Sequence, residues 1–252
     1  MPWRRVRVVQ NWLAGVDAET RRLPQAAGIA DRRRNSLRLA WNLSNAHTFG
    51  YSISPERGVR LATTFERVLP ELGADGQATA FTADGRAYLP AFGRHDVVAI
   101  HAAVGSSTGD RGLRRQFSLG EPVLAESPLS FSRHSLGLLR GPGPDAFGGS
   151  ALVVANLDYR FPLLRVQRGV RTWPIFVRDL HGALFYDIGA TAPSLSMLVR
   201  PASSLGAELA ARLTLGYSWN LNVAAGVGWV HDPARADRPD RAAAFVRTGY
   251  AF

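Results

Sequence analysis

Histidine and serine are the side chains of this 252-residue chain that could do metal or nucleophilic chemistry. The six histidines have none of the spacings that metal ligands adopt, and cysteine is absent. No Gly-x-Ser-x-Gly elbow surrounds any serine. The glycine- and proline-rich residues 141–144 lack the lysine and serine of a phosphate-binding loop. The sequence therefore predicts no metal, no cofactor and no enzymatic activity.

Apolar and polar residues alternate along many segments, and the alternation is clearest in residues 204–219. The odd positions from Leu205 to Trp219 are apolar or aromatic, whereas the even positions from Ser204 to Ser218 are small, polar or charged. A helix would mix the two sets on every face. The alternation therefore predicts a β-strand with two different faces.

The same alternation recurs and predicts about ten strands. Residues 14–35 are polar and arginine-rich, and we predict a loop there. Residues 106–149 form a longer insertion, rich in Gly, Pro, Ser and Arg, and a loop of that length is usually functional or disordered. No shift in composition marks a boundary, so we expect one domain over residues 1–252. The predicted strands lie near residues 3–13, 37–51, 59–69, 81–89, 95–105, 150–162, 180–190, 204–219, 221–230 and 242–252.

The apolar faces end in aromatic residues, as with Trp41 and Tyr51 or Tyr217 and Trp219. The opposite faces are rich in small, polar and charged residues. Alternating segments of about ten residues with aromatic girdles are typical of sheets whose apolar side chains face lipid. The sequence thus predicts an all-β fold, a transmembrane antiparallel β-barrel. A soluble all-β domain is the alternative, because soluble sheets also alternate.

The chain has a net charge of +10, and all 30 basic residues are arginine. These arginines are predicted at strand ends and in loops, and they do not gather beside exposed aromatic residues that could stack on bases. Arginine at the rim of a bilayer or lining a lumen accounts for the charge. We therefore expect outer-membrane lipid as a partner and no nucleic acid.

The last predicted strand ends in phase with an aromatic residue. This pattern resembles the C-terminal signal of bacterial outer-membrane barrels, a final strand of alternating apolar residues with a terminal aromatic. Thr248 is a mild departure from it. The resemblance assigns Tyr250 and Phe252 to the signal and implies a location in the bacterial outer membrane.

Residues 138–141 (Leu-Leu-Arg-Gly), 156–162 (Asn-Leu-Asp-Tyr-Arg-Phe-Pro) and 181–189 (His-Gly-Ala-Leu-Phe-Tyr-Asp-Ile-Gly) narrow the class further. Together they resemble the BamA and TamA class of assembly barrels, the bacterial surface antigen superfamily. In that superfamily the tip of an Arg-Gly-aromatic loop folds back into the barrel. Its arginine meets the acid of a Gly-x-x-Phe-x-Asp-x-Gly strand on the lumen wall.

The resemblance implies that Arg140 and Gly141 form the loop tip and that Asp187 is the partner of Arg140. Pro142, however, stands where the superfamily has an aromatic residue. An arginine and a carboxylate in a confined lumen can form a bidentate pair, which would lock the loop to the strand. The alternative is that Asp187 is one solvated residue of the wall. The other residues assigned to the strand motif are Gly182, Phe185 and Gly189.

Five predicted strands follow Arg140, as the resemblance implies for the part between this loop and the C-terminus, and about five precede it. Barrels of the superfamily are usually larger, with about sixteen strands and with periplasmic domains ahead of them. We therefore expect that the chain is the C-terminal part of a larger barrel. A ten-stranded barrel is the alternative.

The resemblance implies a non-catalytic protein that assists the insertion or translocation of client proteins. Its partners would be unfolded client barrel proteins and the assembly machinery. Two alternatives remain, namely a passive pore without a client and a soluble arginine-rich β domain that binds polyanions. Replacing Arg140 or Asp187 by alanine separates the first two hypotheses, since a pore would change only in conductance.

Overall fold

A computed structural model describes residues 8–25, 28–120, 137–143, 146–216, 218–233 and 240–248. Within these ranges the structure is built from strands, with single 3₁₀ turns at Pro70–Leu72 and Leu195–Met197. No helix in the described part is long and apolar enough to cross a bilayer. The strands are β1 (Val9–Gln25), β2 (Gly28–Ser44), β3 (Gly58–Val68), β4 (Ala78–Pro90), β5 (Val97–Gly109), β6 (Phe117–Gly120), β7 (Gly137–Leu138), β8 (Phe147–Gly149), β9 (Ala151–Gly169), β10 (Ile175–Ala192), β11 (Ala202–Leu215), β12 (Trp219–His231) and β13 (Arg241–Thr248).

Ten of these strands form one antiparallel sheet in the order β1-β2-β3-β4-β5-β9-β10-β11-β12-β13. The prediction of an all-β fold with about ten barrel strands is confirmed. The short strands β6, β7 and β8 form a separate sheet within the segment that joins β5 to β9. Among the described residues β1 and β13 do not pair, so the large sheet is open between them.

The predicted loop at residues 14–35 is wrong. β1 and β2 form one long hairpin, whose pairing runs from Val9 with Ser44 to Gln25 with Gly28. The segment is rich in arginine because one of its faces points into the molecule, where Arg34 is only 2% exposed. A polar, arginine-rich strand is therefore compatible with a sheet that is polar inside.

The large sheet is apolar outside and charged inside. Leu209 of β11 and Val227 of β12 are 52% and 57% exposed, whereas Asp187 of β10 is fully buried. A soluble sandwich has the opposite arrangement, with its apolar side chains buried against a second layer. The exposed apolar face fits hydrocarbon, as in a membrane β-barrel.

The described parts of the segment between β5 and β9 lie against the inner face of the sheet. Phe117, Leu119 and Leu139 are buried there. Glycines allow this close approach, since a Cβ added to Gly105 would lie 2.7 Å from the Phe117 ring, and one added to Gly189 would lie 2.9 Å from Leu119. The wall residues packed against these side chains are Ala103, Leu152, Val154 and Ala202.

The inverted polarity predicts a cost for outward charge that depends on depth in the bilayer. Leu209→Arg, at the middle of β11, should lower the free energy of unfolding in lipid vesicles by about 2–4 kcal/mol. Leu205→Arg lies on the same face nearer the strand end and should cost less. Urea titration followed by tryptophan fluorescence measures both. Equal, small effects would contradict a lipid-facing surface.

Candidate functional site

Arg140, at the tip of the segment between β5 and β9, is fully buried against β10. Its Nε donates to Asp187 Oδ2 at 2.8 Å, and its Nη2 donates to Asp187 Oδ1 at 2.7 Å. Its backbone N–H also donates to Asp187 Oδ2, at 3.0 Å. The carboxylate thus binds the guanidinium in a bidentate manner and fixes the backbone of the loop tip as well.

Two further carboxylates surround the same guanidinium. Nη2 of Arg140 donates to Asp158 Oδ1 of β9 at 2.5 Å, and Nη1 faces Glu208 Oε2 of β11 at 3.6 Å. Each of these acids has a second arginine, since Arg160 binds Asp158 and Arg247 binds Glu208. With Asp187 included, the cluster contains three arginines and three carboxylates. Their charges balance, which limits the cost of burying them.

The acids determine how firmly Arg140 holds its proton. Burial by itself lowers the pKa of the guanidinium, but the nearby carboxylates of Asp158, Asp187 and Glu208 outweigh burial and raise that pKa above its ordinary value. Arg140 therefore stays charged, and the strength of the contact depends on the carboxylates.

An amide side chain connects the loop to the wall beside this ion pair. Nδ2 of Asn156 donates to the carbonyl of Leu138 and to Asp187 Oδ1, both at 2.8 Å. Because both of these partners are acceptors, the Asn156 oxygen must face the other way, toward His101 Nδ1 at 2.8 Å. His101 in turn contacts Asp84 of β4. A chain of hydrogen bonds therefore runs from β4 to the loop.

Phe185 supports the guanidinium from below, with the Arg140 carbon Cζ 3.8 Å from its ring centroid. The Phe185 ring packs edge-on against the ring of Phe245 on β13, with the two ring centroids 5.8 Å apart. Gly206 and Gly228 leave the space that it occupies, since an added Cβ would lie 2.6 and 3.3 Å from the Phe185 ring. The aromatic residue of the strand motif is thus a platform under the loop arginine.

The glycines predicted for the site play different parts. Gly141 has φ +103°, a backbone conformation that residues other than glycine rarely adopt. An added Cβ would also lie 2.8 Å from Val230, so there is no space for a side chain. Gly189 receives Leu119 of the loop. Gly182 lies against the ring of Phe161 on β9, away from the loop arginine. The predicted signal residues Tyr250 and Phe252 lie outside the described residues.

A second ionic anchor holds the same segment, and the sequence analysis did not find it. Glu66 of β3 is 1% exposed and binds Arg115 of the loop at 3.1 Å, Arg34 at 2.5 Å and Arg38 at 3.3 Å. Nε of Arg34 also donates to the carbonyl of Leu113. The segment is therefore held to β2 and β3 at its beginning and to β9, β10 and β11 near its end.

The alternation of each strand could have identified the two further acids around Arg140. Asp158 and Glu208 occupy polar positions in the alternation of their strands, and the structure places both inside. Charged residues on the polar face of a predicted barrel strand are therefore candidates for contact with an inserted loop. Within the described ranges, no group of three His, Asp or Glu side chains could hold a metal ion.

A sheet that is apolar outside, with a loop held by buried charges inside, defines a membrane β-barrel with an inserted loop. Residues 6–228 of the chain match the Omp85 superfamily domain. No curated protein matches the chain. The chain therefore belongs to the Omp85 superfamily, and the predicted membership in the BamA- and TamA-like surface antigen class is confirmed. Proteins of this superfamily are outer-membrane assembly and translocation proteins and are typically non-catalytic.

Removing the main carboxylate partner should release the loop tip. Asp187→Ala leaves Arg140 buried with one acid fewer, and breaking a buried ion pair in this way costs about 3–5 kcal/mol. We expect trypsin to cleave after Arg140 in the variant and not in the parent. Asp240→Ala is the control, because its pair with His231 is exposed and contributes little. Continued protection of Arg140 in Asp187→Ala would contradict the geometry.

The second anchor should act on the other end of the segment. Glu66→Gln keeps the size of the side chain but removes the charge that three arginines share, so we expect faster tryptic cleavage after Arg114 or Arg115. Cleavage after Arg140 should change less, because its own carboxylates remain. If Glu66→Gln exposes both ends equally, the two anchors are a single cooperative unit.

Proposed function

We propose that this protein is a non-catalytic outer-membrane barrel that assists the insertion or translocation of client barrel proteins. The observation that carries the proposal is an inserted loop fixed to the inner wall by buried arginines, in a sheet that is open between β1 and β13. The superfamily works in general with outer-membrane substrates and assembly machinery, which supports the same assignment.

The open edges provide a physical route for a client. Edge strands present unpaired backbone N–H and C=O groups, and an incoming strand can pair with them. In lipid such groups are costly to leave without a partner, so pairing is strongly favoured. β1 is the first strand of the sheet and pairs only with β2 among the described residues, so its other edge is open to a neighbouring strand.

The ion pairs at the loop supply a second element, a gate inside the lumen. Arg140 contacts three strands on one side of the sheet, and Arg115 contacts the acid that β2 and β3 hold on the other. The loop therefore ties the sheet together from within. In the proposal it keeps the edges at a fixed separation, and its release widens the opening for a client.

Variants of the loop–strand pair test the proposal in the protein's own host. Arg140→Ala and Asp187→Ala should each lower the folded fraction of other barrel proteins several-fold, and Asp240→Ala should leave that fraction unchanged. Heat-modifiability on gels, measured for the clients and for the protein itself, separates lost function from lost folding. Correctly folded variants with normal client levels and altered single-channel conductance would instead identify a passive pore.

A photoreactive residue tests the edge directly. Placed at Gly15, it should crosslink to newly made barrel proteins in living cells, because the edge of β1 would lie beside the client strand. The same residue at Gly50, which has equally open surroundings in the connection after β2, is the matched control. Equal crosslinking at both positions would argue against an edge-specific role.

A further inference from the structure

The turn end of the β9–β10 hairpin carries positive charge and no acid of its own. From Tyr159 to Arg178 the chain contains five arginines and no Asp or Glu. One of the five, Arg160, faces the lumen and binds Asp158. We call residues 161–178, with the other four arginines and a formal charge of +4, the basic hairpin tip.

The basic hairpin tip extends past the neighbouring part of the sheet. Pairing of β5 with β9 ends at Val97 with Arg160, and β9 then continues to Gly169. On its other side the tip stays paired with β10, and the β9–β10 turn is tied to the next hairpin by a hydrogen bond from Gly216 N to Pro174 O of 2.9 Å. The tip is thus an ordered extension at one end of the sheet.

Its arginines differ from those inside the barrel. Arg165, Arg168 and Arg171 are exposed, and no carboxylate of the described residues lies within ion-pair distance of any of them. The two acids that flank the tip are already engaged. Asp96 accepts a hydrogen bond from the Tyr159 hydroxyl at 2.6 Å, and Asp179 binds Arg212.

Aromatic residues lie at the same end of the sheet. Trp173, in the turn of the tip, is 67% exposed, and Trp219, at the start of β12, is 66% exposed. The register connects them, because Ile175 pairs with Leu215 and Leu215 pairs with Trp219. Exposed tryptophan is typical of the headgroup region of a bilayer, where the ring is partly in lipid and the indole N–H partly in water.

We propose that the basic hairpin tip is a binding site for the phosphate groups of anionic phospholipids in the adjoining leaflet. Guanidinium groups bind phosphate oxygens in a bidentate manner, and a cluster of arginines at a membrane surface attracts anionic lipid. Trp173 places the turn at the depth of those phosphates. The site concerns lipid recognition and does not depend on whether the protein has a client.

Protection of an exposed strand edge explains part of the pattern. Charges and proline on an edge prevent unwanted pairing, and Pro162, Arg165 and Arg168 lie along the part of β9 that β5 does not cover. Edge protection accounts neither for Arg171 in the turn nor for the two exposed tryptophans. A lipid surface accounts for all of these residues together.

The test measures which lipid lies next to Trp173. The full-length protein is reconstituted into phosphatidylcholine vesicles containing about one fifth phosphatidylglycerol, with bromine, which quenches tryptophan, on one lipid or on the other. The signal of Trp173 is the difference between the parent and Trp173→Phe. At low salt we expect the quenching to correspond to a phosphatidylglycerol fraction around Trp173 that is about fivefold higher than in the bulk bilayer. An enrichment of this size is what one arginine near an anionic membrane surface provides. The enrichment should shrink in high salt.

Two triple variants make the test specific. Arg165→Gln, Arg168→Gln and Arg171→Gln together should abolish the enrichment. Arg67→Gln, Arg111→Gln and Arg200→Gln remove the same charge from exposed positions at the opposite end of the sheet and should preserve it. Replacing the first three arginines by lysine should preserve most of it, which shows that folding is not the cause.

Three results would overturn the proposal. The first is equal quenching by the two brominated lipids in the parent protein. The second is an equal loss of enrichment in both triple variants, which would indicate net charge alone. The third is an enrichment that high salt does not change. Any of these would leave edge protection or contact with another protein as the reason for the arginines.

Discussion

A buried guanidinium that must have carboxylates around it is the constraint on which the inner structure depends. Arg140 is fully inaccessible to solvent, and a charge in that position is stable only when its hydrogen bonds and its countercharge are supplied. Asp158 from β9 and Asp187 from β10 supply hydrogen bonds and charge, and Glu208 from β11 adds a third negative charge. The antiparallel register staggers the three acids, since Asp158 lies opposite Phe185 and Glu208 lies opposite Ala183, so they approach the guanidinium from different levels of the wall.

The second anchor changes what the loop does for the barrel. A loop held only at Arg140 would rest on one wall, and its beginning could move independently. Because Arg115 also reaches Glu66, the described parts of the segment are fixed both at β3 and at the three strands β9, β10 and β11. Ionic contacts of this kind contribute little net stability compared with an apolar core, but they are specific in position. The apolar packing of Phe117, Leu119 and Leu139 adds the non-directional part of the binding.

Strand periodicity predicted most of the sheet, and the resemblance predicted the loop residues. Each of the ten segments predicted from period-two alternation overlaps an observed strand of the large sheet, because a wall with lipid on one side and a polar interior on the other imposes that period. The alternation failed at residues 14–35, where the arginine-rich composition is typical of a loop but the residues form strands. The contact of Arg140 with Asp187 followed from motif likeness, and its role as a gate stays a prediction. Glu66 with Arg115 could not be paired from sequence, since many charged residues share the polar faces and only the folded loop selects among them.

The docked loop also has a consequence for the order of folding. Arg140 needs acids from β9, β10 and β11, and Glu208 is itself held by Arg247 of β13, close to the end of the chain. Contacts between such distant positions form slowly, after the local hairpins. The arginine can therefore reach its final position only when the last strands are already in place. A loop that is seated inside the lumen reports that the strands from β9 to β13 are in place.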